Sequence, residues 1–422
     1  MLGPVGVAFG QESKPADGYV TREEYNSVLR DLAVLKQRLG IVEEQKTAQV
    51  KETEEAFGDY DKQLKDIKSL ATTAQPGTTK FLLTGSANAG FEARQGEKST
   101  FNGSLNPILL WKLSDRLFFE GEVELVPGNS ADGGGETGVN LEYANISYIM
   151  NDYLTLKAGR FLAPFGTFAD RLHPGWINKL PDQPIAVGEA GISPFAEFGV
   201  QASGGFLAGT TKFNYAVYLT NGPRLNMTDP AMAGSLQFEN NVDFNNNKAG
   251  GARVGFLPVP ELELGYSFQT AKVGQDVDAS ARLQAVDLSY VRASKLFMGV
   301  IDVKAQWVWS KVSDLVYDVG GGPFTFKNQR NGGYAQLAYR PSKLEGKFLN
   351  NLEGVVRWDK ISHPSGAPAE TGFVAKRWTL GLDYWLGASA VVKAAYQFDH
   401  RTTPGTGTED THAILLQTAI GF

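Results

Sequence analysis

The sequence predicts an all-β fold: a 16-stranded antiparallel transmembrane β-barrel, preceded by an N-terminal α-helical coiled coil. Three observations predict this fold class. Residues 80–422 alternate apolar and polar side chains in segments of about ten residues, the length that a tilted strand needs to cross a bilayer. Short and long connections follow these segments in turn. Residues 21–70 carry an apolar heptad pattern instead.

The first 79 residues divide into three predicted segments. Residues 1–20 are interpreted as a secretory signal remnant or a disordered start, because they open on a short apolar stretch that ends in small residues. Residues 21–70 contain no Pro and begin with the capping-box pair Thr21 and Glu24. Their apolar residues recur at spacings of three and four, which predicts a coiled coil with one stutter. Residues 71–79 are a linker by composition.

Polar residues surround the apolar stripe of this predicted helix and leave it narrow. A narrow stripe suits another helix better than a globular core, so we interpret the segment as a self-associating stalk. The alternative interpretation is a helix that folds back on its own domain.

The strand pattern is clearest in the segment 297–309. Ile301 and Trp307 fall on one face, whereas Asp302 and Lys304 fall on the other. In a barrel that spans a membrane, the apolar face meets lipid and the polar face meets a water-filled lumen. The sixteen segments therefore predict a closed barrel, because only closure pairs every backbone group in hydrocarbon.

The connections give an independent signal. Short turns such as Ser114–Asp115 alternate with long connections rich in Gly, Asn, Asp and Pro. The predicted long connections are 126–137, 162–194, 222–247, 271–280, 313–328, 362–375 and 402–411. Outer-membrane barrels have short periplasmic turns and long outer loops, so both chain ends and the coiled coil are expected in the periplasm. The last segment ends at the aromatic Phe422, which resembles an outer-membrane assembly signal.

The stretch 153–166, which ends in Ala-Pro-Phe-Gly, and the return at 192–200 resemble the phosphate-selective porin O and P superfamily. This resemblance implies sixteen strands, a trimer, and a long loop folded into the pore as its constriction. An N-terminal coiled coil is also seen in some trimeric outer-membrane channels. Phosphate selectivity is not implied, because the predicted lumen mixes both charges and leans acidic rather than presenting a run of Arg and Lys.

Charged residues on or beside the connection 162–194, the third of the predicted outer loops, are the candidates for the constriction. They are Arg160, Asp170, Arg171, His173, Lys179, Asp182 and Glu189. Charges of both signs on opposite sides would create a transverse field, unless they pair and hold the loop against the wall. The predicted lumen-lining residues are Glu120, Glu122, Glu124, Lys157, Arg253, Asp302, Lys304, Arg357, Asp383 and Lys393.

The composition excludes other classes of function. Forty Lys and Arg residues against 46 Asp and Glu residues give a net charge of −6, which argues against binding to nucleic acid. Cysteine is absent, and the four His residues lack metal-ligand spacing. We therefore expect no metal, no cofactor and no enzymatic activity.

The sequence favours a homotrimeric porin in the outer membrane of a Gram-negative bacterium. It would pass small hydrophilic solutes or ions passively, without selectivity or with a weak preference for cations. An alternative is a barrel that forms a sheath or scaffold for a partner, such as a cytochrome electron conduit. A tether of the envelope through the coiled coil, with a periplasmic partner, is a further alternative.

Overall fold

The structure is a computed structural model. It describes residues 80–129, 134–294, 296–342, 346–368 and 371–422. The predicted coiled coil at 21–70 and the predicted segments at 1–20 and 71–79 lie outside the described residues. No helix in the described part of the chain is long and apolar enough to cross a membrane.

Sixteen long strands form one closed antiparallel barrel, which confirms the predicted barrel architecture. The barrel strands are β1 (Phe81–Arg94), β2 (Thr100–Lys112), β3 (Leu117–Asn129), β4 (Gly135–Asn151), β5 (Leu154–Leu162), β6 (Ala196–Ala208), β7 (Thr211–Thr220), β10 (Ala249–Val259), β11 (Leu262–Lys272), β12 (Ser280–Ser294), β13 (Gly299–Val312), β16 (Gln329–Arg340), β17 (Leu352–Ser362), β18 (Val374–Trp385), β19 (Ala390–Thr403) and β20 (Gly407–Gly421). Four short strands form two hairpins outside the barrel sheet. They are β8 (Arg224–Leu225) with β9 (Leu236–Gln237), and β14 (Val316–Tyr317) with β15 (Phe324–Thr325). A four-residue helix, α1 (Lys347–Asn350), precedes β17, and a π-helical turn covers Phe168–Leu172.

The first and last strands close the sheet. Their antiparallel register runs from Ser86 opposite Gly421 to Arg94 opposite Ala413. At the end of this seam, the backbone amide of Phe422 donates to the carbonyl of Gly85, and the amide of Gly85 donates back, both at 3.0 Å. The C-terminal residue therefore forms the last rung of the ladder that closes the barrel.

Side chains alternate between the two faces as the sequence predicts. In β18, Leu380 is 58% exposed on the outer face, whereas the neighbouring Thr379 and the inward Asp383 are fully buried. The same alternation recurs in β19, where Val392 and Tyr396 lie outside and Lys393 is buried inside. The outer surface is thus apolar, and the polar groups lie within.

Two of the predicted long connections are shorter than expected. The hairpin of β3 and β4 continues to the pair Asn129 and Gly135, inside the predicted loop 126–137. The hairpin of β19 and β20 continues to Thr403 and Gly407. Backbone pairing extends past the last alternating side chain in both cases, because the ladder needs only amides and carbonyls.

One connection, residues 163–195, which we call L3, supplies much of the packed apolar interior. Phe165, Phe168 and Phe195 of L3 are buried in one cluster with small inward residues such as Ala281 and Ala285. Leu180 forms a second cluster on the inner wall, where the missing side chain of Gly381 makes room for it. L3 therefore lies inside the barrel and occupies much of it.

Placing a charge on the outer face tests the assignment of that face to lipid. We expect Leu380→Arg to lower the free energy of unfolding in lipid vesicles by about 2–4 kcal/mol, because an arginine there would be surrounded by hydrocarbon. Denaturant titration of the folded protein in vesicles measures the change. Leu380→Ala is the matched control and should cost much less. Equal stabilities for the two variants would contradict the assignment.

Candidate functional site

L3 leaves the barrel wall through a sharp turn at Gly166. Its φ of +73° favours glycine, and a Cβ there would collide with the side chain of Gln306. The amide of Gly166 donates to Ser267 Oγ at 3.0 Å. Gln306 Oε1 accepts from the amides of Thr167 and Phe168 at 2.9 and 3.1 Å. The start of L3 is thus hydrogen-bonded to β11 and β13, across the lumen from its own strand.

Asp182 attaches L3 to two arginines of the wall. Its Oδ2 atom accepts from Arg357 Nη2 at 2.7 Å and from Arg377 Nη1 at 3.0 Å. Each arginine also binds a wall carboxylate: Arg357 binds Asp359 at 2.8 Å, and Arg377 binds Asp399 at 2.5 Å. The side chains of Arg357 and Asp359 are fully buried. Buried charges are tolerated only with such partners, so Asp182 holds L3 against β17 and β18.

Two lysines add further attachments. Lys179 of L3 lies 2.8 Å from Glu353 of β17. Lys393 of β19 donates to the L3 carbonyls of Asn178, at 2.5 Å, and Gly175. An ammonium group carries three N–H donors and can therefore bind several oxygens. Lys179 attaches L3 through an ion pair, and Lys393 attaches it through hydrogen bonds to its backbone.

Arg171 joins L3 to a third group of wall residues. Its Nη1 atom lies 2.8 Å from Glu263, which also binds Arg253 at 3.1 Å. Arg253 in turn binds Asp287 at 2.6 Å. Asp170 lies beside Arg171 at 3.6 Å and stays exposed.

Arg160 contacts a different connection, residues 221–248, which we call L4. Its Nη2 atom lies 2.7 Å from Glu239, and its Nη1 atom donates to Asn241 at 3.0 Å. Its Nε atom donates to the carbonyl of Glu142 at 2.9 Å. Arg160 therefore stabilises the position of L4 and is itself buried.

Three cavities lie between L3 and the wall. An upper cavity of about 1030 Å³ opens among L3, L4 and the other long connections. A side cavity of about 270 Å³ lies between L3 and the strands β1–β4. A lower cavity of about 380 Å³, lined by Asp302 and Lys304, lies toward the short turns. Glu189 lines both the upper and the side cavity, and Asn178 lines both the side and the lower one.

The side cavity is acidic. Glu122, Glu124 and Glu142 line it from the wall, and Glu189 lines it from L3. No Lys or Arg of the described chain lines this cavity. Burial, together with the negative charges of Glu124 and Glu239, raises the pKa of the Glu189 carboxyl above its ordinary value.

His173 also lines the side cavity and adds no positive charge at neutral pH. Burial lowers the pKa of its imidazole to about 4. Its Nδ1 atom lies 2.6 Å from the carbonyl of Ala169, and its ring packs edge-on against Phe195. The neutral ring donates to that carbonyl, so His173 stabilises the fold of L3.

Glu142 was not predicted to line the lumen, because strict alternation in β4 places it with the outward Ile146. A β-bulge changes the phase: Glu122 pairs with Tyr143, but the next residue, Val123, pairs with Leu141. Glu142 is the extra residue, and the bulge turns it inward. The sequence carries a signal that strict alternation misses: the outward apolar residues change from the odd-numbered Val139 and Leu141 to the even-numbered Ile146 and Tyr148.

The predicted constriction residues therefore do not form one ring. Arg171, Lys179 and Asp182 bind the wall, Arg160 binds L4, and Asp170 is exposed. Two line the side cavity, namely His173 and Glu189.

The predicted lumen-lining residues divide in the same way. Arg253, Arg357, Asp383 and Lys393 face inward but are buried in the wall or beneath L3, so they meet protein rather than open space. Glu120 pairs with Lys157 at 2.9 Å. Glu122 and Glu124 line the side cavity, and Asp302 and Lys304 line the lower one. Within the described residues, no group of three or more acidic or His side chains is placed to hold a metal ion.

The sequence matches no protein-family model and no curated protein. Solved structures of similar fold include the outer membrane channel DcaP of Acinetobacter baumannii, with 13% identity, a TM-score of 0.51 and coverage of 81% of this chain and 97% of that one. OmpF of Salmonella typhi, solved with daunomycin, gives the same four values. The anion-selective porin from Comamonas acidovorans also has 13% identity and a TM-score of 0.51, with coverage of 81% and 99%. At a sequence identity of 13%, the similarity to these structures shows only that the folds are alike.

Neutralising Asp182 tests its role in holding L3. We expect Asp182→Asn to lower the free energy of unfolding by about 3–5 kcal/mol, because Arg357 and Arg377 each lose a charged partner. Denaturant titration in lipid vesicles measures this change. Asp170→Asn removes an exposed carboxylate of the same loop and should leave stability nearly unchanged. If the two variants unfold alike, Asp182 does not anchor the loop.

Proposed function

We propose that this protein is a bacterial outer-membrane porin through which small hydrophilic solutes and ions diffuse passively, with a weak preference for cations. The observation that carries the proposal is the acidic side cavity, which four carboxylates line inside a barrel with an apolar outer surface. The proposal assigns no catalytic activity and no cofactor to the chain.

The three cavities support a continuous route through the barrel. Glu189 is shared by the upper and side cavities, and Asn178 is shared by the side and lower ones. A solute would enter among the long connections, pass between L3 and the wall of β1–β4, and leave beside the short turns. The side cavity is the smallest of the three, so it is the proposed constriction.

Charge at the constriction supports the preference for cations. Acidic side chains around a narrow passage attract cations and repel anions, and the surrounding protein of low dielectric strengthens this effect. The basic groups nearby are already paired: Lys157 binds Glu120, and Arg160 binds Glu239. Around the side cavity, unpaired negative charge therefore exceeds unpaired positive charge.

The assembly belongs to the same proposal. A homotrimer in the outer membrane, held together in the periplasm by the predicted coiled coil at 21–70, accounts for the heptad pattern of that segment. A periplasmic partner of the coiled coil remains a hypothesis from the sequence.

Recordings from the purified full chain in planar lipid bilayers test the proposal. We expect conductance steps in groups of three and, under a gradient of KCl, a reversal potential with the sign of K⁺ preference. Absence of conductance in all salts would overturn the porin function. A reversal potential with the sign of Cl⁻ preference would overturn the acidic constriction.

Glu189 should contribute measurably to this selectivity. We expect Glu189→Gln to reduce the ratio of K⁺ to Cl⁻ permeability, whereas Glu136→Gln, which changes an exposed strand end away from the cavities, should not. Because the pKa of Glu189 is raised, its charge is lost at a higher pH than that of an ordinary glutamate. As pH falls, the difference in K⁺ preference between wild type and Glu189→Gln should therefore disappear at a higher pH than the titration of an ordinary glutamate would give. Identical pH profiles would contradict the assignment.

A further inference from the structure

Four side chains form a row on one wall of the upper cavity, joined by a hydrogen bond and two ring contacts. Arg330 Nε donates to His363 Nδ1 at 3.1 Å, and the His363 ring lies 4.5 Å from that of Phe373. The guanidinium of Arg401 lies 3.9 Å from the centre of the Phe373 ring. All four residues line the cavity, and we call them the arginine cluster.

Neither arginine of the arginine cluster forms a direct ion pair within the described part of the chain. Within the described residues, neither Arg330 nor Arg401 has a carboxylate within 4 Å, whereas Arg94 and Arg377 of the same cavity share Asp399 at 2.8 and 2.5 Å. Arg330 is only 5% exposed, and its Nη2 atom has no hydrogen-bond partner. A buried guanidinium without a counter-charge is costly, so an anion in the cavity would be favoured.

His363 does not add to this charge. Burial and the positive charges of Arg330 and Arg401 lower the pKa of its imidazole to about 3. The neutral ring accepts from Arg330 through Nδ1, which keeps the two arginines on either side of an aromatic pair. The exposed Arg401 is placed to contact a solute directly. The buried Arg330 adds positive charge from the other side of the aromatic pair.

Acidic and apolar side chains line the rest of the upper cavity. Glu189 lies at the junction with the acidic side cavity, and Glu97 and Glu409 lie among the outer connections. Glu409 faces Arg401 in the ladder of β19 and β20 but forms no ion pair with it within 4 Å. Apolar side chains line the cavity between these charges, among them Phe238 of L4.

We propose that the upper cavity binds short zwitterionic peptides that carry an apolar side chain. The peptide carboxylate lies on Arg401, the apolar side chain packs against Phe238 and its neighbours, and the ammonium group faces Glu189. A peptide fits better than a single amino acid, because its two charges are separated and the groups that receive them lie on different elements. The amino end then points into the acidic side cavity, which attracts it onward.

This inference rests on the proposed porin function, because it names the class of solute. Three matched probes test it on the full chain in planar bilayers: alanyl-phenylalanine, its N-acetyl form without the ammonium, and its C-terminal amide without the carboxylate. We expect millimolar alanyl-phenylalanine to interrupt the KCl current. Each modified peptide should need at least about tenfold more, since each loses one charge-assisted hydrogen bond.

Variants assign each charge to its partner. Arg401→Gln should weaken the block by alanyl-phenylalanine and by the N-acetyl form, and leave the block by the amide unchanged. Glu189→Gln should weaken the block by alanyl-phenylalanine and the amide alone. Arg116→Gln, in a short turn at the other end of the barrel, is the matched control and should change none of them.

The outcomes separate the two proposals. If the channel conducts KCl but all three peptides block it equally or not at all, the peptide site is wrong and the porin function stands. A block by the N-acetyl form as strong as that by the free peptide would show an anion site instead and would also overturn the peptide assignment. Absence of KCl conductance would overturn the porin function itself.

Discussion

Closure of the sheet is the constraint on which the rest of the molecule depends. A strand whose outer face is apolar can sit in hydrocarbon only if its amides and carbonyls are paired on both sides. The pairing of β1 with β20, extended by the mutual bonds of Gly85 and Phe422, removes the two free edges. Once the apolar side chains face outward, the polar side chains of every strand must face inward.

A barrel of sixteen strands is too wide for its own inward side chains to fill, and L3 fills much of the remaining space. Its attachments differ around the wall. Backbone amides bind Gln306 and Ser267, whereas charged groups bind β17, β18 and β19. L3 is thus held on the side of β10–β19, and the acidic side cavity remains open on the side of β1–β4.

The sequence predicts the features that depend on neighbouring residues. Alternation within a strand and the rhythm of short and long connections are local, so the strand count and most loop positions could be read from the chain. The partners of the charged residues could not be read from the sequence, because they are distant along the chain. Lys179 and Glu353, for example, are 174 residues apart. Charge type alone therefore suggested a constriction of mixed sign, whereas most of those charges are paired with residues of the wall or of L4.

Two further features were missed for different reasons. The bulge that turns Glu142 inward shifts the outward apolar residues of β4 by one position, and an interpretation that assumes unbroken alternation overlooks such a shift. The arginine cluster depends on a hydrogen bond from Arg330 to His363 and on the stacking of Arg401 over Phe373, two residues of the connection between β17 and β18. Both bear directly on the proposed passage of solutes.

The position of L3 also constrains the order in which the molecule can assemble. L3 follows β5, yet most of the charged residues that hold it belong to β17, β18 and β19, near the end of the chain, whereas Glu263, the partner of Arg171, lies in β11. A sheet that is still open can receive the loop and pair its charges one at a time. After β20 has joined β1, the loop would have to thread into a closed barrel before its charges could meet their partners. We therefore expect the loop to be seated before the final strands join, so that the pairing of β1 with β20 encloses a loop that is already in place.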